Sequence, residues 1–135
     1  FRIFSTRGDG NCLFRSVSQW LFGTEDRAAT VREAVVQDYV QNPDSYEGIM
    51  NQLPMMYLLE TDMDQDGTYG TDVEMRAMSR IWRCEVWVFR EDNHHSWRRY
   101  VHHELYDVDA LPQILLRHAG GVGNGHFEAV GFPAP

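Results

Sequence analysis

The chain has few of the features that would settle its class at once. It contains only two cysteines, Cys12 and Cys84. A disulfide framework is thereby excluded, and the close Cys and His spacings of a zinc site are missing as well. No stretch approaches the ~20 apolar residues that a spanning helix needs, and no N-terminal apolar run with a basic flank reads as a signal peptide. Basic residues are short too: 12 Lys and Arg stand against 20 Asp and Glu, a formal net charge of -8. A surface of that sign repels phosphate backbones and anionic headgroups, so neither a nucleic acid nor a membrane is expected as partner. Internal repeats, low-complexity tracts and domain linkers are absent, and no G-x-S-x-G elbow supports a serine hydrolase, which leaves Ser16 and Ser18 as helix residues. A reducing, intracellular setting, the cytoplasm, fits this cysteine usage. The first residue is Phe1 rather than Met, as expected of a domain excised from a longer protein or of a processed product.

What remains is enough for one compact domain of 135 residues with 43% hydrophobic content. Phe1 to Phe4 alternates as a short strand, and a glycine-punctuated loop follows through Gly8 and Gly10. From Cys12, the apolar Leu13, Phe14, Val17, Trp20 and Leu21 recur at helical spacing until Gly23 stops them. A second helix runs through Ala28, Val31, Val35 and Tyr39 to Pro43, and helical material from Tyr46 to Leu59 is interrupted by Pro54. Thr71-Asp72-Val73-Glu74 has the form of a capping box, opening a helix marked by Val73, Ala77 and Ile81. Cys84 to Phe89 reads as a strand covered on both sides, Glu91-Asp92-Asn93 as a turn, and Trp97 to Val101, Gln113 to Arg117 and His126 to Val130 as further strands. Helices first and strands later predict an α/β or α+β domain.

Chemistry concentrates at two places. Cys12 opens a helix, where unpaired amides and the helix dipole lower a thiol's pKa, and Gly10 and Asn11 allow the tight turn that gathers N–H groups into an oxyanion hole. On those facts alone Cys12 is equally a nucleophile or a small buried hydrophobe. Of the six histidines, His94, His95, His102 and His103 come as adjacent pairs in polar surroundings and read as surface residues. His126 instead follows the glycine loop Gly120 to Gly125 and opens an apolar strand. In an extended chain Glu128 lies on the same side as His126, roughly 6.5 to 7 Å away between Cα atoms, placed to orient the imidazole. Without Cys12, the pair reads first as a strand-end histidine beside a surface carboxylate. Asp62-Met63-Asp64-Gln65-Asp66-Gly67 imitates the opening of a calcium loop, but its twelfth position is Val73, so it is expected to be an acidic surface loop. Cys84 reads as inert core.

Gly8-Asp9-Gly10-Asn11-Cys12-Leu13-Phe14-Arg15-Ser16, Gly67 to Ala77 and Gly125-His126-Phe127-Glu128-Ala129-Val130 together resemble the ordered motifs of the ovarian-tumour (OTU) domain cysteine proteases, most of which are deubiquitinases. The resemblance covers nearly the whole chain. It implies an OTU-like fold, a small central β-sheet packed between helices, with Cys12 as nucleophile and His126 as general base. Asp9 would support the nucleophile loop, Gly10, Asn11 and Cys12 would supply backbone donors to an oxyanion, and Glu128 would stand where the family usually has Asn or Asp. Tyr69 replaces the more usual Trp. The implied activity is hydrolysis of ubiquitin isopeptide bonds by a monomer that uses no metal or organic cofactor. The alternatives are a catalytically silent ubiquitin-binding module, or a protease for a ubiquitin-like modifier or a viral polyprotein.

Overall fold

The computed structural model describes residues 2–91, 96–119 and 125–131. The chain begins with strand β1 (Arg2–Phe4) and continues through helices α1 (Cys12–Phe22), α2 (Ala28–Gln41), α3 (Glu47–Met50), α4 (Pro54–Thr61) and α5 (Asp72–Trp82). Four strands follow: β2 (Glu85–Arg90), β3 (Ser96–Tyr100), β4 (Gln113–Ala119) and β5 (His126–Gly131). The five form one mixed sheet in the order β1-β5-β4-β2-β3, in which β2 and β4 run parallel and the other pairs are antiparallel. The expected turn at Asp92 and Asn93, the pair His94 and His95, and the loop Gly120 to Asn124 lie outside the described residues.

Local chemistry explains the helix boundaries. Gly23 ends α1 in the left-handed conformation, φ 76°, with its N–H donated to the Gln19 carbonyl. Pro54 is the first residue of α4 rather than an interruption, since its missing N–H costs nothing there. The capping box forms: Thr71 accepts from the Val73 amide, and Glu74 Oε1 accepts from the Thr71 amide at 2.7 Å. Glu74 does more than cap. It is fully buried, and its other oxygen accepts from the hydroxyls of Tyr39 (2.8 Å) and Tyr57 (2.6 Å). With the Thr71 hydroxyl also 2.7 Å from Oε1, every acceptor position of this buried carboxylate is used, the condition under which such a group is tolerated in a core.

Pleating puts Val86, Val88, Ile114, Leu116 and Phe127 into one apolar cluster with Phe14, Val17, Val31, Val35 and Met78 from the helices. Each large side chain so buried contributes about 2 kcal/mol. Strand β2 was expected to be covered on both sides. It instead alternates buried Val86 and Val88 with half-buried Trp87 and Phe89, so one of its faces is covered more completely than the other. Among the described residues, no helix is long and apolar enough to cross a membrane.

His102 corrects a second expectation. It is fully buried, not a surface residue: Nδ1 accepts from the Glu104 amide (3.1 Å) and Nε2 faces the Ser45 carbonyl (2.7 Å), while the ring packs edge-on against Tyr46. His103 is exposed as expected. Polar neighbours in sequence gave no hint of the carbonyl that reaches His102 from 57 residues away. Burial pushes the His102 imidazole below its ordinary value, with the Ser45 carbonyl opposing, and burial does the same at His118, helped there by Arg90. The unfolded chain therefore takes up protons that the folded chain refuses. Stability is complete above the ordinary histidine pKa and is lost as pH falls through the depressed values, by at most about 1.4 kcal/mol per pH unit for each group. Urea unfolding between pH 7.5 and 5.5 is expected to show this decline, and His102→Gln to remove one group's share of the slope.

Candidate active site

Asp9, ahead of α1, anchors the turn that delivers Cys12. Its carboxylate receives Nε and Nη2 of Arg15, one helical turn into α1, at 3.2 and 2.9 Å, and also accepts from the Asn11 amide at 3.0 Å. The Arg15 guanidinium holds the Asp9 carboxyl below the usual carboxylate range, so the clamp is charged at neutral pH. The Cys12 amide bonds the Asp9 carbonyl at 3.2 Å. Of the three amides expected to face an oxyanion, those of Asn11 and Cys12 are engaged by Asp9 in this resting arrangement.

Asn11 works through its side chain as well. Its Oδ1 accepts from Arg32 Nη2 (2.7 Å) and from the Gly67 amide (2.9 Å), and its Nδ2 donates to Asp66 Oδ1 (3.0 Å). Arg32 also donates to the carbonyls of Met63 and Thr68, at 2.9 and 2.8 Å, and lies 4.0 Å over the Phe14 ring. The acidic loop is therefore a brace for the turn that delivers Cys12, with Asp66 spent on Asn11. Arg32 was not singled out from the sequence. Its signal was there, since it falls four residues after Ala28 on the buried stripe of α2, a position where an arginine needs internal acceptors.

The thiol lies against the start of β5. Cys12 is 1% exposed, its Sγ accepts from the Phe127 amide at 3.4 Å, and it approaches the Gly125 carbonyl at 4.0 Å. These two groups flank His126. Among the described residues, the recorded polar neighbours of the thiol are thus the backbone on either side of the imidazole. The sequence predicts a thiol pKa lowered by the helix N-terminus. The amides of Leu13, Cys12 and Phe127 do act in that direction, but burial outweighs them and pushes the thiol up. Burial thus favours the protonated form of the Cys12 thiol. Cys84 is buried in the core, and burial pushes its thiol up to about 12.

His126 Nε2 lies 3.8 Å from Glu128 Oε2 and 3.4 Å from Thr6 Oγ1. Thr6 spends its single proton on the Phe127 carbonyl at 2.7 Å, so toward the imidazole its oxygen can only accept. Two acceptors beside Nε2 favour the tautomer that carries the proton there and leave Nδ1 with its lone pair. The structure brings Glu128 to His126 and places Asp9 on Arg15 instead. Thr6 escaped the sequence reading because it joins His126 across 120 positions.

Beside the thiol opens a cleft of about 550 Å³, lined among others by Tyr69, Arg76, Arg90, Arg98, His118 and Phe127. Its arginines oppose the sign of the whole chain, with Arg76 paired to Asp72, which also lines the cleft.

The family of OTU-like cysteine proteases matches this sequence over residues 7–127. The chain belongs to that family. Among curated relatives, this OTU domain is 32% identical over 90 residues to the OVARIAN TUMOR DOMAIN-containing deubiquitinating enzyme 7 of Arabidopsis thaliana, an alignment covering 66% of this chain and 24% of that protein. It spans about a quarter of the length of the first such relatives. Among solved structures, it superposes on the OTU domain of OTUD1 with a TM-score of 0.77 at 21% identity, covering 94% of this chain and 83% of the other. An OTU deubiquitinase from Wolbachia pipientis wMel, bound to ubiquitin, superposes with a TM-score of 0.66 at 18% identity, over 95% and 93% of the two chains. The OTU fold, with its mixed sheet and helices, is the architecture expected from the sequence motifs.

Proposed function

We propose that this OTU domain is a deubiquitinating thiol isopeptidase. The observation that carries the reading is the seat of Cys12 Sγ between the Gly125 carbonyl and the Phe127 amide, against the strand end that bears His126, with Glu128 and Thr6 behind the imidazole. His126 Nδ1 takes the proton from Cys12 as Sγ adds to the carbonyl of the C-terminal glycine of ubiquitin. Backbone amides of Gly10, Asn11 and Cys12 receive the developing oxyanion, with Asp9 holding their turn. The protonated imidazole gives its proton to the departing lysine amine, and water, deprotonated by the same nitrogen, releases the acyl group and regenerates the thiol. The Asn11 and Cys12 amides exchange the Asp9 oxygens that hold them at rest for the oxyanion, and the sequence of steps calls for no metal or organic cofactor. Ubiquitin is the proposed partner, as the names of the relatives and the ubiquitin-bound neighbour suggest for those proteins; the domain is proposed to act as a monomer in the cytoplasm. A silent module would require Glu128 to displace the imidazole, and its 3.8 Å approach to Nε2 argues for a working orienter.

One observation favours a second reading, a protease for a ubiquitin-like modifier: a cleft lined by Arg90 and Arg98, with Arg76 paired to Asp72 at its wall, suits a tail less basic than ubiquitin's. Electrophilic probes made from ubiquitin and from a panel of ubiquitin-like modifiers separate the two. Adduct formation with the ubiquitin probe, mapped by peptide mass spectrometry to Cys12, is expected. Labelling confined to another modifier would transfer the substrate to that modifier, and an adduct elsewhere would remove Cys12 from the chemistry.

A further inference from the structure

Glu128 is one methylene longer than the Asp that commonly stands at this place, and its reach has to be taken up by something. The register of the sheet supplies it. Arg117 on β4 is the cross-strand partner of Glu128 on β5, and their side chains meet with Nη1 2.7 Å from Oε1. The other edge of the guanidinium is occupied by Glu91, through Nε at 2.7 Å and Nη2 at 2.6 Å, in a two-point fork. Glu91 is fixed in turn where β2 ends, its amide 3.3 Å from the His118 carbonyl of the parallel neighbour β4. A forked arginine has no freedom to rotate, so Oε1 of Glu128 is pinned and Oε2 is the oxygen left for His126 Nε2 at 3.8 Å and for the Ser5 hydroxyl at 3.4 Å.

We propose that Arg117, clamped by Glu91, is a positioning residue for this active site: it holds Glu128 so that the longer carboxylate orients the imidazole in the Nε2–H tautomer. Lysine cannot substitute, because a single ammonium lacks the fork that meets Glu91 and Glu128 at once. The proposal rests on the reading of Cys12 and His126 as nucleophile and base. It does not depend on the modifier, because the state of the imidazole is observable without substrate.

The experiment has two arms. Nitrogen-15 NMR of the imidazole side chains, with His126 assigned by substitution, is expected to show the Nε2–H tautomer in the unaltered domain and a mixture of tautomers in Arg117→Met and Arg117→Lys. Turnover of whichever modifier substrate the domain cleaves is expected to fall by about tenfold to a hundredfold in kcat/KM for Arg117→Met. In a Glu128→Gln background the same replacement is expected to change kcat/KM by no more than about twofold, since its route of action is already gone. Glu91→Gln, which leaves the Arg117–Glu128 contact but loosens the clamp, gives a smaller shift of the same kind and serves if Arg117→Met does not fold. An unchanged tautomer with a lowered unfolding midpoint would make Arg117 a merely structural residue. An equal loss of turnover with and without Glu128 would also overturn the proposal. Failure to cleave ubiquitin alongside the expected tautomer change would fall on the substrate assignment alone.

Discussion

Cys12→Ser is expected to abolish turnover, by on the order of 10⁵-fold or more, while leaving the fold intact. The thiol sits where an added or missing atom would be felt, but serine puts a smaller oxygen in the same buried seat, with nothing to clash against. The unfolding midpoint should therefore move little. The chemistry does not survive, because the hydroxyl is far harder to deprotonate than a thiol. A companion measurement isolates the base. Burial pushes the thiol pKa up, so without an imidazole to accept its proton the thiolate is scarcer at neutral pH than for a free cysteine. His126→Asn is accordingly expected to cut kcat by about 10²- to 10⁴-fold near pH 7, with activity climbing as pH rises toward the elevated thiol value. Residual turnover by Cys12→Ser at more than a percent of the original, or a flat pH profile for His126→Asn, would remove these two residues from their assigned roles.

The second large effect belongs to a residue with no side chain. A methyl group on Gly10 would stand 1.6 Å from the Gly67 carbonyl oxygen and 2.4 Å from its carbon. Both are backbone atoms, and they cannot step aside: Gly67 sits at φ 88°, its N–H is held by Asn11 Oδ1, and the adjoining Thr68 carbonyl is held by Arg32. Gly10→Ala must therefore part the nucleophile turn from the acidic loop and strip acceptors from buried Arg32. The expected cost is about 3 kcal/mol of stability by urea unfolding. A loss of about a hundredfold in kcat/KM is expected as well, because the turn also aims Cys12. Gly8 provides the control. It lies two residues away in the same motif, and a Cβ there meets nothing within 4 Å. Gly8→Ala is expected to be close to silent, and equal behaviour of the two variants would refute the brace.

That pair shows where reading the sequence stops. Gly8 and Gly10 look alike in a glycine-rich approach to a cysteine, and only a carbonyl 57 residues downstream tells them apart. The same holds for His102, whose polar neighbours suggest a surface place until a carbonyl from Ser45 closes over it. The motif Asp62 to Gly67 was legible as acidic and as an imperfect calcium loop. Its service to Asn11 was not.

The sequence by itself determined the local features and, through its ordered motifs, the family: Gly23 stopping α1, Thr71 and Glu74 opening α5, the strand periods, Cys12 at a helix start and His126 beside Glu128 on a strand. These follow from nearest-neighbour sterics, hydrogen bonding within a turn or two, and the two- and 3.6-residue periods, all of which act over a few positions. Tertiary structure decided whatever depends on burial or on strand register. It raised the thiol pKa against the pull of the helix N-terminus, put Thr6 and Glu128 behind the imidazole, and brought Arg117 and Glu91 together at the Glu128 carboxylate. Desolvation is set by every element that packs over a group, and register by pairings far apart in the chain, so neither is written in the residues around the cysteine itself.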